Sequence, residues 1–113
     1  MTKKYTHQVI FCIVNSGFSD VAMDAAKKAG ARGGTVLNAR GTGALEAEKF
    51  FGISVQPEKE IVMIVAPAED CDKILQCLYD EVGLNTNGQG IAFAVPVDGV
   101  VGLTTHQEEK KED

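Results

Sequence analysis

Residues 60–66 read Glu-Ile-Val-Met-Ile-Val-Ala, apolar from Ile61 onward and stopped by Pro67. An unbroken apolar run leaves neither face of an extended segment for water. It predicts a central β-strand covered on both sides. Residues 7–14, HQVIFCIV, have the same character and predict a second central strand. Downstream of Pro67, Cys71, Ile74, Leu75, Leu78 and Val82 recur at helical spacing over residues 69–82, and Gly83 ends that helix. Downstream of the first strand, a Gly-containing turn leads to Ser19, read as an N-cap, with Asp20 in the first turn. Val21, Ala22, Ala25, Ala26 and Ala29 form one stripe, Lys27 and Lys28 suit the helix C-terminus, and Gly30 follows it. Residues 35–40, TVLNAR, alternate as a short strand. Residues 91–97 form a last strand, which Pro96 assigns to an edge or a bulge. Asp98-Gly99 signals a turn, with residues 100–103 as a short return strand. The order β-α-β-β-α-β predicts an α+β ferredoxin-like sandwich: a four-stranded antiparallel sheet with two helices on one face.

The chain has 113 residues and a formal net charge of −5, which suits one domain. Residues 1–106 are read as that domain and residues 107–113, QEEKKED, as a charged, disordered tail. The acidic balance disfavours nucleic acid as a partner, since phosphate backbones are held by excess Lys and Arg. An RNA-recognition reading also needs stacking aromatics on the open sheet face, and residues 60–66 have none. No apolar run approaches the ~20 residues of a membrane span. The N-terminus, MTKKYTHQ, lacks a signal-peptide core, so a cytoplasmic location is expected. Cys12, Cys71 and Cys77 have no metal-ligand spacing and read as reduced thiols.

Two helices cover one sheet face only, yet both faces of the central strands are apolar. Val9, Phe11 and Ile13 oppose Ile10, Cys12 and Val14; Ile61, Met63 and Val65 oppose Val62, Ile64 and Ala66. The uncovered face exceeds the apolar patch of an ordinary monomer, and other copies of the chain are its simplest cover. Residues 41–59 are too long for an ordinary connection and read as a functional loop, with a helical turn around residues 44–51.

Several marks then resemble the PII signalling proteins, nitrogen-regulatory trimers, over about residues 7–106. Phe18-Ser19-Asp20-Val21 opens the first helix as the family's Leu-Asp-Asp-Val does. Gly33-Gly34-Thr35-Val36 resembles its Gly-x-Thr-Val, and Arg40-Gly41-Thr42-Gly43 the start of its T-loop. Val65-Ala66-Pro67 resembles the Val-Val-Pro after its third strand, and Gly88-Gln89-Gly90 its B-loop. The resemblance implies a non-enzymatic homotrimer. Its inter-subunit clefts would take a small anionic ligand or an adenine nucleotide, and its loop would dock on a transporter or enzyme.

On that resemblance the ligand-binding candidates are Thr35, Arg40, Gly41, Gly43, Gly88, Gln89, Gly90 and His106. Glycines let backbone N–H groups approach phosphate oxygens closely. Glu46, Lys49, Phe50 and Phe51 are the candidate partner-binding residues of the loop. The family's phosphate-binding cations fall at Ala44, Ile91, Gly102 and Thr104, so weak ATP binding is expected. A hydrolase on this fold would need an arginine in the anion loop after the first strand, where Asn15-Ser16-Gly17 stands. A metal- or ion-binding trimer of the same fold is the alternative, with Glu46 and Glu48 as loop carboxylates.

Overall fold

The structure is a computed structural model, and it describes residues 5–42, 57–85 and 89–103. The elements are β1 (His7–Asn15), α1 (Ser19–Lys28), β2 (Thr35–Arg40), β3 (Glu58–Pro67), α2 (Ala68–Val82) and β4 (Gly90–Pro96). They form one antiparallel sheet in the order β2-β3-β1-β4, so β1 and β3 are central as their apolar runs predict. Pro96 ends an edge strand, where its missing N–H costs least.

The two faces divide cleanly. Ile10, Cys12 and Val14 of β1 and Val62, Ile64 and Ala66 of β3 are buried beneath the helices. Ala22, Ala25 and Ala26 of α1 and Cys71, Ile74, Leu78 and Val82 of α2 close that core. The alanine stripe lets α1 lie close to the sheet, while longer side chains on α2 fill the remaining depth. On the opposite face Ile91, Phe93, Val95, Val65 and Leu37 are exposed, and Phe11 meets Phe93 with ring centroids 5.4 Å apart.

Four details differ from the sequence reading. Phe18, not Ser19, occupies the N-cap position of α1, and no side chain of its own caps the helix. The cap comes from Glu60 across the chain, described below. Val21 is 41% exposed, because Ala22, Ala25 and Ala26 set the buried face and Val21 lies outside it. Residues 100–103 form no strand: Gly102 turns out of the extended region at φ 85°, and Val101 is 97% exposed. Glu58 and Lys59 belong to β3, so the long connection ends before them. The helical turn expected around residues 44–51 lies outside the described residues.

Candidate functional site

The site is built at the end of the sheet where β1 finishes and β3 begins. The two stems of the long connection are tied at their base: the Gly41 N–H donates to the Pro57 carbonyl at 2.8 Å. One step along the ladder, Arg40 stands opposite Glu58.

The β1–α1 turn is fastened to the same base by four further bonds. The Ser16 N–H donates to the Glu58 carbonyl at 3.1 Å. Lys59 Nζ donates to Asn15 Oδ1 at 2.6 Å. The N–H groups of Gly17 and Ser19 donate to Glu60 Oε1 at 3.0 and 3.2 Å. These donors favour the charged carboxylate. The Gly17 bond is the largest influence, partial desolvation opposes it, and Ser19 adds to it, so Glu60 titrates below the usual glutamate range. A groove of about 660 Å³ opens here between Ser16, Asn38, Ala39, Arg40, Glu58 and Lys59.

At the same end, the opposite sheet edge begins at Gly90. Its φ is 139°, and a Cβ there would collide with the Ile13 carbonyl oxygen. A second groove of about 580 Å³ lies beside it, between α2 and β4, lined by Leu75, Tyr79, Leu84 and Ile91 among others.

The register shows which candidates come together. Asn38, Glu60, Val14 and Gly90 form one row across the four strands. Arg40 and Gly41 therefore share an end of the sheet with Gln89 and Gly90, but on opposite edges, about 14 Å apart at strand spacing. Thr35 begins β2 at its other end, opposite Met63, five residues and about 17 Å from Arg40. It also lies on the open face, whereas alternation places Arg40 on the helix side. One protomer thus holds these groups in separate places. Gly43, Gly88, His106, Glu46, Lys49, Phe50 and Phe51 lie outside the described residues. Sequence reasoning did not single out Ser16, Asn38 or Glu60. Nothing local marks them, because their importance comes from contacts made across more than forty positions or across strands.

Among the described residues no group of three His, Cys, Asp or Glu side chains is placed to hold a metal ion. Burial pushes the Cys12 thiol up to about 11 and also raises that of Cys71, whose S–H faces the Pro67 carbonyl at 3.5 Å. Both are poor nucleophiles at neutral pH. No helix among the described residues is long and apolar enough to cross a membrane.

The described elements define a ferredoxin-like sandwich with a long, base-tied connection between its second and third strands. The chain belongs to the family described as nitrogen regulatory protein P-II, whose model matches residues 7–107. It is a PII-family signalling protein, and members of that family are non-catalytic regulators. The fold is similar to the crystal structure of Arabidopsis thaliana PII bound to citrate, with a TM-score of 0.64 and 21% identity. That likeness covers 87% of this chain and 81% of the other. No curated protein matches the chain.

Proposed function

We propose that the protein works as a homotrimer whose clefts between copies take a small anionic ligand or a nucleoside monophosphate, and that residues 41–59 report occupancy to a partner protein. Family membership over residues 7–107 carries this reading. The geometry supports it in two ways. The exposed apolar sheet face needs a cover. Thr35 meets Arg40, Gly41 and Gly90 only if a neighbouring copy supplies one end of the set.

The charge of the ligand follows from what stands at the positions where the resemblance expects cations. Ile91 is 58% exposed at the position where the resemblance expects a lysine. Gly102, expected as an arginine, adopts φ 85°, a conformation that side chains with a Cβ rarely take. Each absent charge-assisted contact is worth about 1.5–3 kcal/mol. Losing two weakens a triphosphate about a hundredfold or more. A monophosphate needs fewer such partners.

Calorimetric titration with ATP, ADP and AMP tests this, with AMP the tightest. Micromolar ATP binding that exceeds AMP binding would show that other cations replace the missing set. Light scattering tests the assembly: three chains of 12.0 kDa are expected, and a monomeric mass refutes the trimer.

A further inference from the structure

Antiparallel pairing turns the N–H and C=O of alternate residues toward one neighbour and those of the residues between them the other way. The Val97 N–H donates to the His7 carbonyl at 3.1 Å, so along β4 the odd-numbered residues bond β1. The backbone groups of Ala92 and Ala94 therefore point away from the sheet. On the other edge the Gly41 N–H donates to the Pro57 carbonyl at 2.8 Å, so the odd-numbered residues of β2 bond β3. The backbone groups of Val36 and Asn38 point outward there. Proteins ordinarily blunt such edges with charge, with proline or with a covering segment. β4 carries no charged residue and its proline stands last, while β2 carries one charge, Arg40, at its end. Val36 is 47% exposed, Leu37 43% and Phe93 41%. Past Pro96 the chain continues along β1 through Val97 instead of turning back over β4.

We infer that copies of the chain join edge to edge, with β2 of one copy pairing antiparallel with β4 of the next. Direction is the first reason. β2 and β4 run oppositely within the sheet, so a copy added in the same orientation continues the antiparallel order. The two edges differ, so the contact is head to tail and repeats until a ring closes. The faces also match. Val36 and Asn38 share the helix side with Val62 and Glu60, as Ala92 and Ala94 do with Cys12 and Ile10. The register is then limited. Overlapping all six residues of β2 sets Asn38 against Ala92 and Val36 against Ala94, so each outward donor meets an acceptor. On the open face it sets Leu37 against Phe93, and Ala39 against Ile91, which is 58% exposed in one protomer. Sliding two residues one way puts Val36 against Pro96, which has no N–H. Sliding two the other way carries Ala39 and Arg40 past the start of β4. The inference rests on the trimer reading and adds which edges meet. Arg40 of one copy then stands one strand spacing, about 5 Å, from Gly90 of the next.

The test uses the full-length protein. Ala94→Pro removes an outward N–H and leaves the bonds of Phe93 and Val95 to β1 in place. It should keep the circular dichroism of the fold while the light-scattering mass falls from three chains toward one of 12.0 kDa. A double variant, Ala39→Cys with Ile91→Cys, reads the register itself. Within one protomer these positions lie on opposite sheet edges, too far apart for a disulfide, but across the joint they face each other. Mild oxidation should link its chains in twos and threes on a non-reducing gel, while wild type and each single variant stay unlinked. Should Ala94→Pro fail to fold, the double variant decides alone. A trimeric wild type whose double variant stays unlinked overturns the edge pairing and leaves the trimer standing. So does a folded Ala94→Pro of unchanged mass. A monomeric wild type refutes the trimer reading, and this inference with it.

Discussion

Glycine 90 shows how a residue type can be demanded by the fold before any ligand is considered. It pairs with Val14 at the start of β4, at φ 139°, with the Ile13 carbonyl oxygen where its Cβ would stand. Both the strain of a positive φ and the collision with backbone oppose any side chain. Gly90→Ala should therefore cost more than about 2 kcal/mol, through backbone strain and collision together. Gly41 is different. A Cβ there would approach Lys59 Cε at 3.2 Å, the far part of a flexible side chain that can move aside. Gly41→Ala should shift the melting temperature little. Thermal denaturation of the two variants checks the contrast. If Gly41→Ala weakens ligand binding without loss of stability, its missing side chain serves ligand approach. Equal stability losses at both positions would contradict the geometry.

At the scale of elements, the first helix depends on the third strand. Glu60 sits in β3, yet its carboxylate satisfies N–H groups of Gly17 and Ser19 at the start of α1. Its folded-state pKa is depressed, first by the Gly17 bond. A depressed carboxylate contributes stability that is complete above the ordinary glutamate pKa, about 4.3. The contribution drains as pH falls through the folded value. Glu60→Gln should lower stability at neutral pH and narrow its gap from wild type on acidification below that range. Chemical denaturation at a series of pH values reads this directly, and a gap that widens at low pH reverses the assignment. The same contact shows where sequence reading stops. The apolar runs of β1 and β3, the spacing along α2 and the edge position of β4 were legible, since periodicity and proline express burial directly. The start of α1 was not. Ser19 has the chemistry of an N-cap, but the cap came from Glu60, and nothing in residues 15–20 announces a partner in β3. Residues 100–103 misled similarly. Their apolar composition suits a strand, but pairing needs a neighbour, and Gly102 turns the chain away from extension.

For the whole molecule, the open question in the sequence was which face of the sheet is which. Alternation along β1 and β3 shows two apolar faces without saying which one the helices take. The site was legible in the same partial way: the Arg40-Gly41 and Gln89-Gly90 marks located two sheet edges, while their separation and the distance to Thr35 depend on strand order. The structure assigns Ile64 to the helix side, fully buried, and Met63 to the open side, half-buried between Phe11 and Thr35 in the register. Neighbouring residues should then respond oppositely to the same change. Ile64→Asp buries an unpaired carboxylate against Ile10 and the helices, a lesion of several kcal/mol that should unfold the chain. Met63→Asp places its charge on a face that a lone protomer leaves partly open to water. It should keep the circular dichroism of the folded state while the sedimentation mass falls from three chains toward one of 12.0 kDa. The energetic reason is that an interface core tolerates an unpaired charge no better than a protein interior does. An unchanged mass with Met63→Asp would mean that this face is not where copies meet. A folded Ile64→Asp would mean that the core is not where the structure places it.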